Sequence, residues 1–246
     1  IYLENASFTV ETNVPGYYTL IINGTAVNIY KVNDRLVISV PTGLVPGVYD
    51  VNITVDETEN HTAGWASATL NITARDVVIN LTAENIIYGE TVVIIPSALE
   101  GATGTLNYTI KDIDGVIVRT GSKVIGESFD VDDLAAGTYT VTAVYYNDPL
   151  YDVAVNGVTF NVSRAVPEFD ASALDVVYGT NITVVPTINV NNGNVNYTVY
   201  DKDGNVVASG IKDIGENFTA MLAGGTYTGN ATYLGNQNYT DSTVVF

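Results

Sequence analysis

The sequence predicts an all-β chain of tandem antiparallel β-sandwiches. Three observations carry that expectation. Apolar residues alternate with polar ones over short runs, Gly-containing turn dipeptides separate the runs, and one Gly–x–Tyr phrase occurs three times. The phrase reads "PGVYDVNITVDETENH" (46–61), "AGTYTVTAVYYNDPLY" (136–151) and "GGTYTGNATYLGNQNY" (224–239). Its tyrosines, Tyr49, Tyr139 and Tyr227, lie 90 and 88 residues apart, a spacing that suits one sandwich per repeat.

Taken in order, the first repeat (7–55) is a divergent copy without the "YG" strand that opens the others, so its first strand is expected to be missing or replaced. The second and third repeats keep step throughout: "NIIYGETVVIIPSA" (85–98) with "DVVYGTNITVVPTI" (175–188), "LNYTIKDIDGVIV" (106–118) with "VNYTVYDKDGNVV" (195–207), and "KVIGESFDV" (123–131) with "KDIGENFTA" (212–220). In "TLNYTIK", Leu106, Tyr108 and Ile110 point one way while Asn107, Thr109 and Lys111 point the other. Tyr139, Val141, Ala143 and Tyr145 share an inward face, as do Tyr49, Val51, Ile53 and Val55. No apolar stripe of helical period occurs, and about seven strands per repeat are expected. Domain boundaries fall in "NITARD" (71–76) and "NVSRAVPEF" (161–169), giving domains 1–74, 75–164 and 165–246. Both linkers are short and lack Gly/Ser runs, which predicts semi-rigid joints.

The recurring tyrosine has a structural role in such a fold. A Tyr that opens the penultimate strand after a Gly-containing corner matches the tyrosine corner of immunoglobulin-like sandwiches, its ring in the core and its hydroxyl on the corner's backbone. The motifs "YGE", "NYT", "DxDG", "IGE" and "AGTYTVTAVYYND" resemble the tandem bacterial-type Ig-like repeats of methanogen (archaeal) adhesin-like surface proteins, and "GYYTLIINGTAV" with "RLVISVPTGLVPGVYDVNITV" resembles a variant in the same arrays. The resemblance covers nearly the whole chain. It implies a repetitive, extracellular cell-surface protein that mediates attachment to other cells, through their glycans or proteins, with this chain a monomeric segment of it. The N-terminal Ile1 fits the same expectation of a segment.

Composition narrows the function classes. Nine Lys and Arg face 27 Asp and Glu, for a net charge of −18, while charged residues make up only 15% of the chain. The imbalance therefore reflects scarce cations. Binding to nucleic acid phosphates, which needs those cations, is not expected, nor is binding to an anionic membrane. Apolar content of 46% is too high for a disordered acidic tail. With no Cys, each domain must be held by packing.

Catalysis finds no inventory here. There is no Cys nucleophile, and a Ser–His–Asp triad would have to use His61, the sole His, in the loop "DETENHTAGW". Zinc lacks ligands for the same reason. No enzyme activity, cofactor or metal is expected. "DIDG" (112–115) and "DKDG" (201–204) begin like calcium loops but do not continue as one, and Asp-Gly is the preferred type I′ hairpin turn.

Sugars are the remaining class. The sequon N-x-S/T occurs at Asn5, Asn23, Asn52, Asn60, Asn71, Asn80, Asn107, Asn161, Asn181, Asn196, Asn217, Asn230 and Asn238, each a candidate N-glycosylation site. Alternating strands generate Asn–apolar–Thr by themselves, so part of this enrichment needs no glycan. Rings that would stack on bound sugars stand in "NVPGYY" (Tyr17, Tyr18), in "DETENHTAGW" (His61, Trp65) and in "VYYNDPLY" (Tyr146, Tyr151). The competing reading of Trp65 is core or edge packing. A carbohydrate-binding module centred on the first repeat is thus the alternative to a stalk.

Overall fold

The computed structural model describes residues 1–2, 4, 7–33, 35–39, 43–99, 101–146 and 148–246, and among them every regular element is a strand. The contacts group into two compact units, one of residues 1–80, 97–107 and 143–156, the other of 81–96, 108–142 and 157–246. This division passes through the second repeat's strands, not through the linkers.

In the first repeat, Ser7–Glu11 pairs antiparallel with Arg35–Ser39. A four-stranded sheet runs in the order Thr25–Val32, Gly16–Ile22, Gly47–Val55, Gly64–Ile72. Tyr18, Leu20, Ile22, Val32, Ile38, Val51 and Ile53 form its core. Among the described residues its smaller sheet has two strands where those of the other repeats have three.

The second and third repeats share one plan. A three-stranded sheet orders Phe129–Val131, Val92–Ala98, Ile79–Ala83 in the second repeat, and Phe169–Ala173, Asn181–Ile188, Phe218–Met221 in the third. The larger sheet of the second repeat orders Ile117–Val124, Thr105–Asp112, Gly137–Tyr145, Ala154–Ser163 and Ile86–Ile87. Its counterpart in the third repeat orders Val206–Asp213, Asn194–Tyr200, Thr228–Tyr233 and Ser242–Val245. The alternation read from sequence sets which faces are buried: Leu106, Tyr108, Ile110, Tyr139, Val141, Ala143 and Tyr145 are all buried. Stacked pairs recur at matching places, Tyr108 on Phe129 at 4.2 Å and Tyr197 on Phe218 at 5.2 Å.

All three tyrosine corners are present. The hydroxyls of Tyr49, Tyr139 and Tyr227 donate to the carbonyls of Val45, Ala135 and Ala223, each four residues upstream, at 2.7, 2.9 and 2.9 Å. A fourth exists that the sequence reading missed. Tyr18 donates to the Val14 carbonyl at 2.9 Å and lies 2.5 Å from Thr12 Oγ1. The signal was available, since "VPGYY" (14–18) and "VPGVY" (45–49) share the pattern Val-Pro-Gly-x-Tyr.

The Asp-Gly turns differ from expectation. Type I′ needs positive φ at both central residues, but in "DIDG" and "DKDG" only Gly115 (φ 81°) and Gly204 (φ 83°) have it. Instead the first Asp organises a longer turn. Asp112 Oδ1 accepts the N–H groups of Asp114 and Val116, and Asp201 Oδ1 those of Asp203 and Asn205. These bonds, with the Asn205 carboxamide first, hold the Asp201 carboxyl below its ordinary range. A true two-residue turn of this type stands at Asn23 (φ 47°) and Gly24 (φ 80°).

Candidate functional site

The terminal turn of the Gly–x–Tyr phrase is the most organised surface feature. In the third repeat, Asn236 Oδ1 accepts the N–H groups of Asn238 and Tyr239, and its Nδ2 donates to Asn192 Oδ1 at 2.5 Å. Tyr233, just before the turn, donates to the Asn192 carbonyl at 3.1 Å, and burial raises its pKa. In the second repeat, Asp148 plays the part of Asn236, accepting the Leu150 N–H at 2.8 Å and the Tyr145 hydroxyl at 2.5 Å. That hydroxyl also lies 3.0 Å from the Thr103 carbonyl, and burial followed by the Asp148 carboxylate raises the pKa of Tyr145.

Each turn receives the linker that enters its own repeat. Arg75 pairs in parallel with Tyr151, its N–H donating to Leu150 and its carbonyl accepting from Asp152, both at 3.0 Å. Ala165 pairs in parallel with Tyr239, through Asn238 and Thr240 at 2.9 Å each. In the third repeat the same turn also reaches back to the second. Asn238 Oδ1 accepts the Ala136 N–H at 2.9 Å, and the Tyr239 ring meets Tyr88 edge-on at 5.3 Å and 74°. The last tyrosine of the phrase is therefore a linker post. Tyr151 is half-buried, 6.5 Å from the Tyr145 ring, and does not face solvent as a stacking residue would.

The other proposed sugar contacts separate. Tyr18, 5% exposed, is a core residue whose hydroxyl is committed to its corner. Tyr17 is 66% exposed and Trp65 76%, so Trp65 is not packed in the core. Both stand on the outer face of the four-stranded sheet. Trp65 lies beside Thr54, Thr54 beside Thr19 and Thr19 beside the exposed Ile29, while Tyr17 is opposite Lys31 in the next row. His61 is exposed in a turn whose backbone is paired with Thr58. Tyr146 accepts the Asn107 side-chain amide at 2.6 Å beside a shallow cavity of about 440 Å³ lined by Thr103, Asn107, Asp148 and Pro149.

Of the sequons, Asn5 lies outside the described residues; none of the other twelve Asn residues is buried. Asn52, Asn196, Asn230 and Asn238 are half-buried, and Asn23, Asn60, Asn71, Asn80, Asn107, Asn161, Asn181 and Asn217 are exposed. Among the described residues no cluster of three His, Cys, Asp or Glu could hold a metal ion, and no helix is long and apolar enough to cross a membrane.

These features define tandem two-sheet β-sandwich repeats with corner tyrosines. The chain matches no protein-family model, and no curated protein is similar to it at a significant level. Among solved structures it is similar to a tetra-tandem repeat in the extending region of a large adhesion protein (22% identity, 99% of this chain and 70% of that one, TM-score 0.42). It is also similar to a 1.5-MDa bacterial ice-binding adhesin described in connection with host cell surface retention (14%, 99% and 89%, TM-score 0.37). A segment of two fibronectin type III domains from chicken tenascin is similar too (13%, 68% and 97%, TM-score 0.42).

Proposed function

We propose that the chain is a segment of an adhesin-like, extracellular cell-surface protein, in which three sandwich modules (1–74, 75–164 and 165–246) act as a spacer that holds adhesive surfaces away from the cell. The observation that carries this reading is the joint: each linker is hydrogen-bonded to the terminal turn of the module it enters, and Asn238 and Tyr239 bind the third repeat to the second. A chain built to position something needs such fixed joints; a flexible tether does not. The scarcity of Lys and Arg suits a spacer, because neighbouring modules of like charge repel within a screening length. Partial glycosylation at the exposed sequons fits the same setting, and the module does no catalysis. Small-angle scattering of the full chain tests the reading. A maximum dimension close to three modules end to end, shortened by Asn238→Ala with Tyr239→Ala, supports it; a compact particle that ignores these substitutions refutes it.

A second reading rests on one specific observation, the exposed Trp65 and Tyr17 on one sheet face of the first repeat. Flat aromatic surfaces edged by Thr hydroxyls bind sugar rings by stacking and hydrogen bonding. A glycan array probed with the full chain and with Trp65→Ala decides it: signal lost in the variant supports sugar binding, and no signal in either supports the spacer alone.

A further inference from the structure

The outer face of the four-stranded sheet in the first repeat carries two exposed aromatic rings with hydroxyls between them. The pairs Trp65–Thr54, Thr54–Thr19 and Thr19–Ile29 make one row across all four strands, and Tyr17 lies two residues before Thr19 on the same face. Strands lie about 4.8 Å apart and rise about 3.3 Å per residue, which puts the Cα atoms of Trp65 and Tyr17 about 12 Å apart. Thr54 and Thr19 stand between the two rings. Ile21, Asn52 and Ser67 form the neighbouring row, which adds a carboxamide and a third hydroxyl. Ile29, 62% exposed, continues the apolar floor beside Tyr17.

Charge and shape narrow what such a face fits. Neither row contains Asp or Glu, although the net charge of the chain is −18. Two charges of opposite sign flank Tyr17: Lys31, its strand partner, and Asp56, which follows Val55, the partner of Tyr18. The face is thus neutral and lined with Thr, Ser and Asn, which complements an uncharged ligand rich in hydroxyls. A polyanion, by contrast, meets repulsion from the chain as a whole. An open sheet face has no walls to hold a coiled ligand, so a straight, flat chain makes the most contact. Hexoses joined β-1,4 form a ribbon of that kind, whereas α-1,4 linkages coil. Successive rings of the ribbon are turned over, so the first and third offer the same face at a separation close to that of Trp65 and Tyr17.

From this register we infer that the face binds an uncharged, β-1,4-linked hexose chain, three sugars of which lie across the strands from Trp65 to Tyr17. The inference rests on the sugar-binding reading given above and specifies its ligand. The first ring stacks on Trp65 and the third on Tyr17. The middle ring crosses Thr54 and Thr19, whose hydroxyls exchange hydrogen bonds with its own. Two separated platforms make the site one that reads length: a disaccharide reaches only one ring, and a trisaccharide reaches both.

Trp65 is the sole Trp, so the tryptophan fluorescence of the full chain reports on this face directly. Titrations with soluble β-1,4-linked glucose oligomers of increasing length test the inference, beside α-1,4-linked glucose oligomers and β-1,4-linked uronic acid oligomers. The neutral β-1,4 series is expected to bind about tenfold more tightly at three sugars than at two, with little gain beyond. Tyr17→Ala is expected to remove that step and Tyr17→Phe to keep it. Equal affinity for two and three sugars, or equally tight binding of the α-1,4-linked or charged chains, overturns the inference and leaves the sugar reading standing. No response to any of these oligomers also overturns it. The glycan array then separates the two: a signal lost in Trp65→Ala keeps the broader reading, and no signal ends both.

Discussion

Removing one hydroxyl, Tyr139→Phe, isolates the corner hydrogen bond from the ring that carries it. Tyr139 is buried, so its hydroxyl bond to the Ala135 carbonyl at 2.9 Å cannot be fully replaced by water. A net loss of roughly 1 to 1.5 kcal/mol follows, which for a module of this size is a fall in melting temperature of about 4–10 °C. Tyr49 and Tyr227 are half-buried, but their bonds to Val45 and Ala223 are exposed, so water can step in, and their Phe variants should each lose less than about 0.5 kcal/mol. Tyr139→Ala removes the ring as well, with its stack on Phe160, and should cost roughly 3–5 kcal/mol. Amide exchange at Val141 and Ala143 reports on the second repeat without interference from the others. A Tyr139→Phe variant as stable as the parent, or equal losses for all three Phe variants, would show that the corner bond is not what fixes this turn.

Alkaline pH should unfold the second and third repeats. Burial raises the pKa of Tyr139, Tyr145, Tyr197 and Tyr233 above 10.0. The unfolded chain then releases these protons first, so stability is full below about pH 10 and falls as pH rises through the folded values; a flat stability from pH 9 to 12 would contradict this. Asn238→Ala should speed exchange at the Ala136 amide by about fivefold or more, as expected for loss of roughly 1 kcal/mol of hydrogen bonding, while amides inside the third repeat's core keep their protection. Asp201→Ala should destabilise the 201–205 turn, read as faster exchange at Asn205, and melting of the parent should be the same in EDTA as in millimolar calcium. Glycopeptide mapping of native material should find Asn238 unmodified, because its carboxamide sits in the joint against Ala136, and modification confined to exposed sequons such as Asn60, Asn80 and Asn181.

Strand faces were legible because burial in a sheet has period two, and Leu106, Tyr108 and Ile110 declare it directly. The three corners were legible because a Gly–x–Tyr repeated at near-constant spacing, 90 and 88 residues, is best explained by a fixed corner of each sandwich. The fourth corner was hidden by a second tyrosine. "GYY" reads as an aromatic surface until the Val-Pro-Gly-x-Tyr frame shows that Tyr18 turns in and Tyr17 turns out. For Trp65 the sequence left a sugar contact against core or edge packing, and position 65 falls on the outer face of an edge strand, which removes only the core. The role of Tyr151 could not be read locally. It depends on a linker residue 76 positions earlier, Arg75, being laid alongside it. Likewise, the turn geometry at Asp112 and Asp201 was decided by carboxylate bonds to N–H groups two and four residues on, which the Asp-Gly dipeptide alone does not specify.

The linker posts have a mechanical meaning. Each linker is paired with its module's turn at one residue, Arg75 beside Tyr151 and Ala165 beside Tyr239, whereas strands such as Gly47–Val55 and Gly64–Ile72 are paired along their whole length. In the spacer proposed above, tension along the chain would meet this short fastening before it meets a sheet. When Ala165 is pulled from Tyr239, the freed residues lengthen by at most about 3.6 Å each, and the sandwich behind them stays closed. The fastening re-forms when the load drops, because Tyr239 and Asn238 are kept in place by Asn236. Under the spacer proposal each joint would act as a resettable clip, giving way at small force so that the modules need not.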